Sequence, residues 1–142
     1  MKVILELQNF RLAILILIFF ATKLISQSST IITPVCEIKS QNLIKRVFVQ
    51  DNRIIFEINN SAILNFDLEG KPFTFLEGVD GKSYGLIKYY FGQKSEKSNF
   101  ELYILNENFA VSFYQKFEFY FEEPLPKILI LNSNQFLLLY PA

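Results

Sequence analysis

The sequence predicts an all-β protein, an antiparallel meander of strands that follows a hydrophobic N-terminal segment. After residue 30, apolar residues alternate with polar ones, as they do in strands with one buried face. Clusters of Asn, Asp, Gly and Ser interrupt this alternation every few residues and are typical of turns. No window after residue 30 repeats apolar residues at the helical spacing. A hydrophobic composition of 51% is ample for a packed core.

The N-terminal segment has the three parts of a secretory signal. Lys2 and Arg11 precede an uninterrupted apolar run over residues 12–21, and small polar residues follow over residues 26–30. We therefore expect a signal peptide or membrane anchor over residues 1–28 and an all-β domain over residues 29–142.

Cleavage before Ser29 would place the protein outside the cell, either secreted or in the periplasm or cell envelope. The alternative is a chain anchored in the membrane by residues 12–25. The apolar run is about half the roughly 20 residues that a spanning helix needs, so the cleaved signal is the favoured expectation. Contact with a membrane is expected only if the segment is retained.

Strands are predicted wherever alternation persists between turn signals. In residues 109–121 one face would carry Phe109, Val111, Phe113, Phe117, Phe119 and Phe121, and we expect a turn near Gln115-Lys116 to divide this run. Residues 92–99 are polar and predict a loop. The other predicted strands cover residues 43–49, 54–58, 62–67, 73–76, 84–91, 100–105, 127–131 and 135–140.

The chain also matches itself weakly at one offset. Phe66 aligns with Phe113, which is 47 positions later, and Asn59 aligns with Asn106 at the same spacing. We expect blade-like repeats at about residues 47–92 and 93–132, with a partial third at 133–142. A period in the forties is typical of four-stranded propeller blades.

The segment from Ile63 to Lys71, which reads ILNFDLEGK, resembles the strand and Phe-Asp-x-x-Gly-Lys turn of NHL-like six-bladed β-propeller proteins. This family is common among exported proteins of Bacteroidetes-type bacteria. The resemblance covers about residues 47–142 and implies a partial propeller, because a closed propeller needs 4–8 blades. A small β-sandwich or barrel is the alternative. No functional residue of the family has a match in this chain.

The composition excludes several kinds of chemistry. The chain has no His, so neither a His-based triad nor His acid–base catalysis is available. The formal net charge is zero, which gives no electrostatic footprint for nucleic acid. Cys36 is the only cysteine, so no internal disulfide can form, and we expect it to be a partly buried apolar residue. No cofactor is expected.

No metal site is expected either. Two pairs of carboxylates, Glu77 with Asp80 and Glu122 with Glu123, could form a weak calcium site. We favour the simpler interpretation that these are solvated carboxylates in turns, because isolated acidic pairs at turn positions are common on protein surfaces.

These exclusions favour a non-enzymatic binding or interaction module whose ligand is an unknown protein or carbohydrate. The alternatives are a carboxylate-dependent hydrolase that acts on carbohydrate and a non-functional gene fragment. Tyr84, Tyr89 and Tyr90, together with Phe91, could form an aromatic face for a sugar or a peptide. The competing and favoured interpretation is that they form the core of a sheet.

The C-terminal strand predicts self-association. The five residues from Phe136 to Tyr140 are all apolar or aromatic and include no charge, so an exposed edge here would invite pairing with another strand. Cover could come from a strand of the same chain, from a second copy or from a larger partner.

Overall fold

The computed structural model of the chain describes residues 11, 13, 14, 31–93, 96–120 and 123–141. The chain divides into two compact units, residues 1–31 and residues 32–142. In the first unit, Arg11, Ala13 and Ile14 are helical. The other residues of the predicted signal or anchor, residues 1–28, lie outside the described part, so export and anchoring stay predictions. Among the described residues, no helix has the length and apolar character needed to cross a membrane.

The second unit is all β, which confirms the predicted fold class. Its described residues form three antiparallel sheets, in which consecutive strands pair. The first sheet contains β1–β4, the second sheet contains β5–β8, and β9 and β10 form a separate hairpin. The strands are β1 (Thr33–Ser40), β2 (Leu43–Gln50), β3 (Arg53–Ile58), β4 (Ser61–Asp67), β5 (Phe73–Glu77), β6 (Tyr84–Tyr90), β7 (Lys97–Leu105), β8 (Val111–Tyr120), β9 (Lys127–Asn132) and β10 (Gln135–Leu139).

Tight turns in the first sheet form where the Asn-rich signals predict them. Asp51 and Asn52 connect β2 to β3 with φ angles of 49° and 59°, and Asn59 and Asn60 connect β3 to β4 with 50° and 63°. Asn and Asp tolerate this left-handed conformation better than most residues. Two successive positive φ angles define the turn whose twist matches that of the flanking strands, so the hairpins close without splaying.

The first core lies between the first and second sheets. Side chains alternate between the two faces of a strand, so every second residue of each sheet points into this layer. The loop residues Leu68 and Phe109 complete it. The buried members from the strands are Val47, Ile54, Phe56, Tyr84, Leu86 and Leu105.

The second core lies on the opposite face of the second sheet, beneath the hairpin. Ile128 and Ile130 of β9 are buried there, and Phe136 and Leu138 of β10 pack against the same cluster. The second sheet contributes Ile87, Phe100, Leu102 and Ile104. The unit is therefore a stack of three layers, the first sheet, the second sheet and the hairpin, with the second sheet in the middle.

The structure corrects three of the strand predictions. β1 was not expected, because Pro34, Glu37 and Lys39 obscure its alternation. The turn expected near Gln115-Lys116 is wrong, since β8 continues unbroken from Val111 to Tyr120. The expected loop over residues 92–99 is three residues too long, because β7 begins at Lys97.

The aromatic face expected over residues 109–121 is divided between two cores. Phe109 lies in the turn before β8 with a φ of 59° and is buried in the first core. Phe113, Phe117 and Phe119 do share a face of β8, and they pack against the second core. Phe121 lies outside the described residues. The expected blade-like repeats at 47–92, 93–132 and 133–142 stay a prediction.

Candidate functional site

The hairpin is seated on the second sheet through a close contact at Gly85. A Cβ atom at Gly85 would lie 3.0 Å from Cγ1 and 3.1 Å from Cδ1 of Ile130, so a larger residue here would force Ile130 to shift by a few tenths of an ångström. The amide of Val79 donates a hydrogen bond of 2.9 Å to the carbonyl of Ile130. At the turn of the hairpin, the Ser112 hydroxyl donates to the carbonyl of Ser133. These contacts fix which face of the hairpin points outward.

The outward face of the hairpin carries four leucines that are at least partly exposed, with Lys127 at its end, directly opposite Leu139. We call it the leucine face and define it as Leu129, Leu131, Leu137 and Leu139. Leu137 is 44% exposed and Leu139 is 47% exposed, whereas Leu129 and Leu131 are partly buried. Lys127 is the only charged residue from the start of β9 to the end of β10. Large exposed aliphatic side chains grouped in this way are typical of a contact surface.

A cleft of about 290 Å³ opens on the first sheet. It lies where β1 bulges between Pro34 and Cys36. The cleft is lined by Ile32, Pro34, Cys36, Glu37, Arg46, Val47, Phe48, Gln50 and Glu57. Its concave shape and its mixed apolar and polar lining make it a second candidate for binding.

The charges of the cleft are paired within the first sheet. Arg46 faces Glu57 across β2 and β3, and its guanidinium donates to that carboxylate at 2.7 Å. Glu37 pairs with Lys39 at 2.9 Å, and this neighbouring ammonium holds the pKa of Glu37 below its usual range. Burial and the nearby Glu77 raise the pKa of the Cys36 thiol, which favours its protonated form. The partly buried Cys36 agrees with its predicted packing role.

A polar cluster around Glu101 lies on the face of the second sheet that points toward the first sheet. Glu101 faces Lys88 directly across β6 and β7, and their charged atoms are 3.7 Å apart. Its carboxylate accepts hydrogen bonds of 3.1 Å from Tyr103 and Tyr114. The Tyr90 hydroxyl is 3.1 Å from both Glu101 and Glu69, and it can donate its one proton to only one of them at a time.

This cluster holds Glu101 in its charged form. The side chain is only 16% exposed, and burial alone would raise its pKa. The three tyrosine hydroxyls and Lys88 outweigh burial, so the pKa of Glu101 lies below its usual range. Burial and the adjacent carboxylates raise the pKa of both Tyr90 and Tyr103. Glu101 is therefore a fixed hydrogen-bond acceptor and no source of a proton near neutral pH.

The structure does not bring the three tyrosines of the expected aromatic face onto one surface. Tyr84 is 2% exposed and belongs to the first core. Tyr90 shares its side of β6 but interacts with the Glu101 cluster. Tyr89 points to the other side, where its ring stacks on that of Phe91 at 5.8 Å. Binding of a sugar or peptide at these residues stays a prediction, with no shared aromatic platform to support it.

The acidic residues singled out in the sequence do not gather into a larger group. Asp80 caps its own turn, accepting bonds from the amides of Lys82 and Ser83 and from the Ser83 hydroxyl. These bonds lower the pKa of Asp80. Glu122 lies outside the described residues. Within the described part of the chain, no set of three or more potential ligands could hold a metal ion.

No protein-family model, curated protein or solved structure matches the chain. The resemblance of residues 47–142 to NHL-like propellers therefore stays a prediction, and any function has to be inferred from the geometry of the chain itself.

Proposed function

We propose that the all-β unit is a non-enzymatic interaction module, exported from the cell, which binds a protein partner through the leucine face. The observation that carries this proposal is the exposure of Leu137 and Leu139 on a hairpin whose one charge is Lys127. A contiguous apolar surface in an outer layer favours a protein contact, because association removes it from water.

Covering this face would contribute favourable free energy to association with a partner. Complete burial of one leucine side chain stabilises by about 1.5–3 kcal/mol. Since Leu137 and Leu139 are each nearly half exposed, covering both would contribute roughly 1.5–3 kcal/mol in total. Tyr140 directly follows β10 and is also exposed, so it adds an aromatic side chain of the kind enriched at protein interfaces.

The rival function, a carboxylate-dependent hydrolase, finds less support in the Glu101 cluster. Hydrolysis of a glycoside requires one carboxyl group that keeps its proton and a second that is charged. The lowered pKa of Glu101 suits it only to the charged role, and its oxygens already accept bonds from the hydroxyls of Tyr103 and Tyr114. These bonds link β7 and β8, which weighs in favour of a structural role for Glu101.

The proposed location rests on the N-terminal sequence. Lys2 and Arg11 before the apolar run of residues 12–21 have the order of a secretory signal. N-terminal sequencing of protein from the producing cells is expected to start between Gln27 and Thr30. A product that starts at Met1 and stays inside the cell would contradict export.

The binding proposal is tested by a lysine on the leucine face. The unaltered chain, isolated from its producing cells, is expected to migrate in a complex larger than one chain. Leu137→Lys should release it to the mass of a single chain. Val111→Lys is the matched control, because Val111 is also 44% exposed but lies on β8. Far-UV circular dichroism checks that both variants keep their sheets.

Two outcomes would contradict the binding proposal. The unaltered chain could already migrate as a single chain at tens of micromolar, in which case the leucine face is uncovered in solution. Alternatively, both lysine variants could remain in the complex, in which case another surface holds the partner.

A further inference from the structure

We infer that Asn59 is an N-glycosylation site, which receives an oligosaccharide while the chain is exported. This inference rests on the export that the proposed function includes, and it goes beyond the binding role of the leucine face. It assigns the side-chain nitrogen of Asn59 as the acceptor, the Ser61 hydroxyl as the second part of the recognised motif, and a lipid-linked oligosaccharide as the donor.

The motif that accepts N-linked glycans is an asparagine followed two positions later by serine or threonine, with any residue except proline between them. Asn59-Asn60-Ser61 meets this requirement, whereas none of the other asparagines of the chain does. Because the motif is short, a usable acceptor must also lie on the surface of the folded chain, where a bulky and hydrophilic group has room.

The structure places the whole motif on the surface. Asn59 and Asn60 form the tight turn between β3 and β4, and Ser61 begins β4. All three residues are exposed. Among the described residues, β4 is an edge strand of the first sheet, and no further strand pairs beyond it. A large hydrophilic group attached to this turn would therefore extend into solvent.

The side chain of Asn59 keeps its nitrogen available. Its Oδ1 atom accepts a hydrogen bond of 2.9 Å from the amide of Ile44, which fixes the orientation of the carboxamide. Nδ2, the atom that would carry the glycan, lies 3.5 Å from the carbonyl of Asn42, a long contact for a hydrogen bond. Replacing one hydrogen of Nδ2 with a sugar leaves Oδ1 and the second hydrogen unchanged. The folded turn can therefore carry the modification and keep its contact with Ile44.

Asn106 illustrates an asparagine that serves a turn without being an acceptor. It lies 47 positions after Asn59, between β7 and β8, but Glu107 and Asn108 follow it, so it lacks the hydroxyl of the motif. Its Oδ1 accepts hydrogen bonds of 3.0 Å from the amides of Asn108 and Ala110, within its own turn. No glycan is expected at Asn106, which makes it an internal control.

The reaction would join Nδ2 of Asn59 to the anomeric carbon of the donor oligosaccharide. A bond forms between Nδ2 and that carbon, while the bond from the carbon to the lipid diphosphate breaks and the diphosphate leaves with the electron pair. The released diphosphate takes up the proton that Nδ2 loses, so the reaction needs no oxidant or reductant. The export route of the producing cells supplies the donor and the transferase, and this chain contributes the acceptor motif.

A glycan on Asn59 would leave the leucine face free. The turn that carries Asn59 belongs to the first sheet, whereas the hairpin packs on the opposite face of the second sheet. Since the second sheet lies between them, loss of the glycan should not change binding through the leucine face. The two proposals can therefore be tested independently.

Peptide mass spectrometry of the chain isolated from its producing cells tests the site. The peptide that contains Asn59 is expected to carry an oligosaccharide, and a peptide-N-glycosidase should remove it and convert Asn59 to aspartate. Ser61→Ala should lose the glycan, although it keeps the acceptor nitrogen and changes only an exposed side chain. Asn60→Gly is the matched control and should keep the glycan, because it preserves the motif and glycine readily adopts the positive φ of this turn.

Three results would overturn the inference. An unmodified Asn59 in a chain that starts between Gln27 and Thr30 would mean that the exported chain is not glycosylated here, while export itself stands. A glycan that persists in Ser61→Ala would place the sugar at another residue. A chain that starts at Met1 and carries no glycan would contradict export as well, and N-terminal sequencing of the same sample distinguishes this result from the first.

Discussion

Replacing Gly85 with alanine tests whether the hairpin packs where the structure places it. The new methyl group would lie 3.0 Å from Cγ1 of Ile130, a buried β-branched side chain that cannot easily move aside. Overpacking of this kind costs about 1–3 kcal/mol. Alanine recovers about 0.5–1 kcal/mol relative to glycine within a strand. We therefore expect Gly85→Ala to lower the free energy of unfolding by about 1–2 kcal/mol.

The contact itself is isolated by a double-mutant cycle with Ile130→Ala. Truncation of a buried isoleucine should cost about 2–5 kcal/mol. In the double variant, the methyl group at position 85 occupies part of the space that Ile130 leaves. Its loss of stability should therefore be smaller than the sum of the single losses by about 1–2 kcal/mol. Urea unfolding followed by circular dichroism measures all four free energies by linear extrapolation.

The control pairs Gly85→Ala with Ile54→Ala, because Ile54 is fully buried in the first core, on the other side of the second sheet. These two losses should add within about 0.5 kcal/mol, as expected for residues without contact. The same additivity between Gly85→Ala and Ile130→Ala would refute the seating of the hairpin on the second sheet.

Two further predictions concern the first core and the Glu101 cluster. Phe56→Ala should lower the free energy of unfolding by about 3–5 kcal/mol, because the Phe56 ring is fully buried and its centroid lies 5.2 Å from that of Phe109. A loss below about 1 kcal/mol would mean that the first two sheets do not pack as described. Glu101→Gln should lower the free energy of unfolding by about 1–3 kcal/mol at neutral pH, because the variant loses the charge-assisted hydrogen bonds of the carboxylate. The pKa of Glu101 is lower in the folded chain than in the unfolded chain. The charged carboxylate therefore stabilises the fold fully above the pKa of the unfolded chain, about 4.3, and this stabilisation is lost as the pH falls through the pKa of the folded chain. The variant's unfolding free energy should therefore decline less on acidification than that of the unaltered chain, and equal declines would contradict the role of Glu101. Glu118→Gln, at an exposed ion pair with Lys97, is the control and should change stability by less than about 0.5 kcal/mol.

The strands were predictable where alternation and turn chemistry agree. β3, for example, lies between Asp51-Asn52 and Asn59-Asn60, and both turns adopt the left-handed conformation that these residues favour. β1 was missed because it is an edge strand whose exposed face carries charges and whose bulge at Pro34 breaks the period of two. The turn expected at Gln115-Lys116 was wrong because these two polar residues lie on opposite faces of one continuous strand and are both exposed there.

The site was predictable only in part. The uncharged run from Phe136 to Tyr140 marks the exposed hairpin in the sequence, and binding through it stays a prediction. The Glu101 cluster was missed because Lys88 and Glu101 meet through the pairing of β6 with β7, and nothing in the intervening loop specifies that register. The cleft was missed because it depends on the unexpected strand β1. Tyr84, Tyr89 and Tyr90 were grouped by sequence proximity, but neighbouring residues in a strand point to opposite faces.

Hydrogen exchange of β10 tests the central claim most directly, because it needs no substitution. The amides of Gln135–Leu139 are measured by mass spectrometry in the complex isolated from the producing cells and again after strong dilution has released the single chain. If a protein partner covers the leucine face, β10 should exchange more slowly in the complex, while the buried amides of β7 should exchange equally in both samples. Equal exchange of β10 in the complex and in the released chain would contradict the claim that this face is a binding surface.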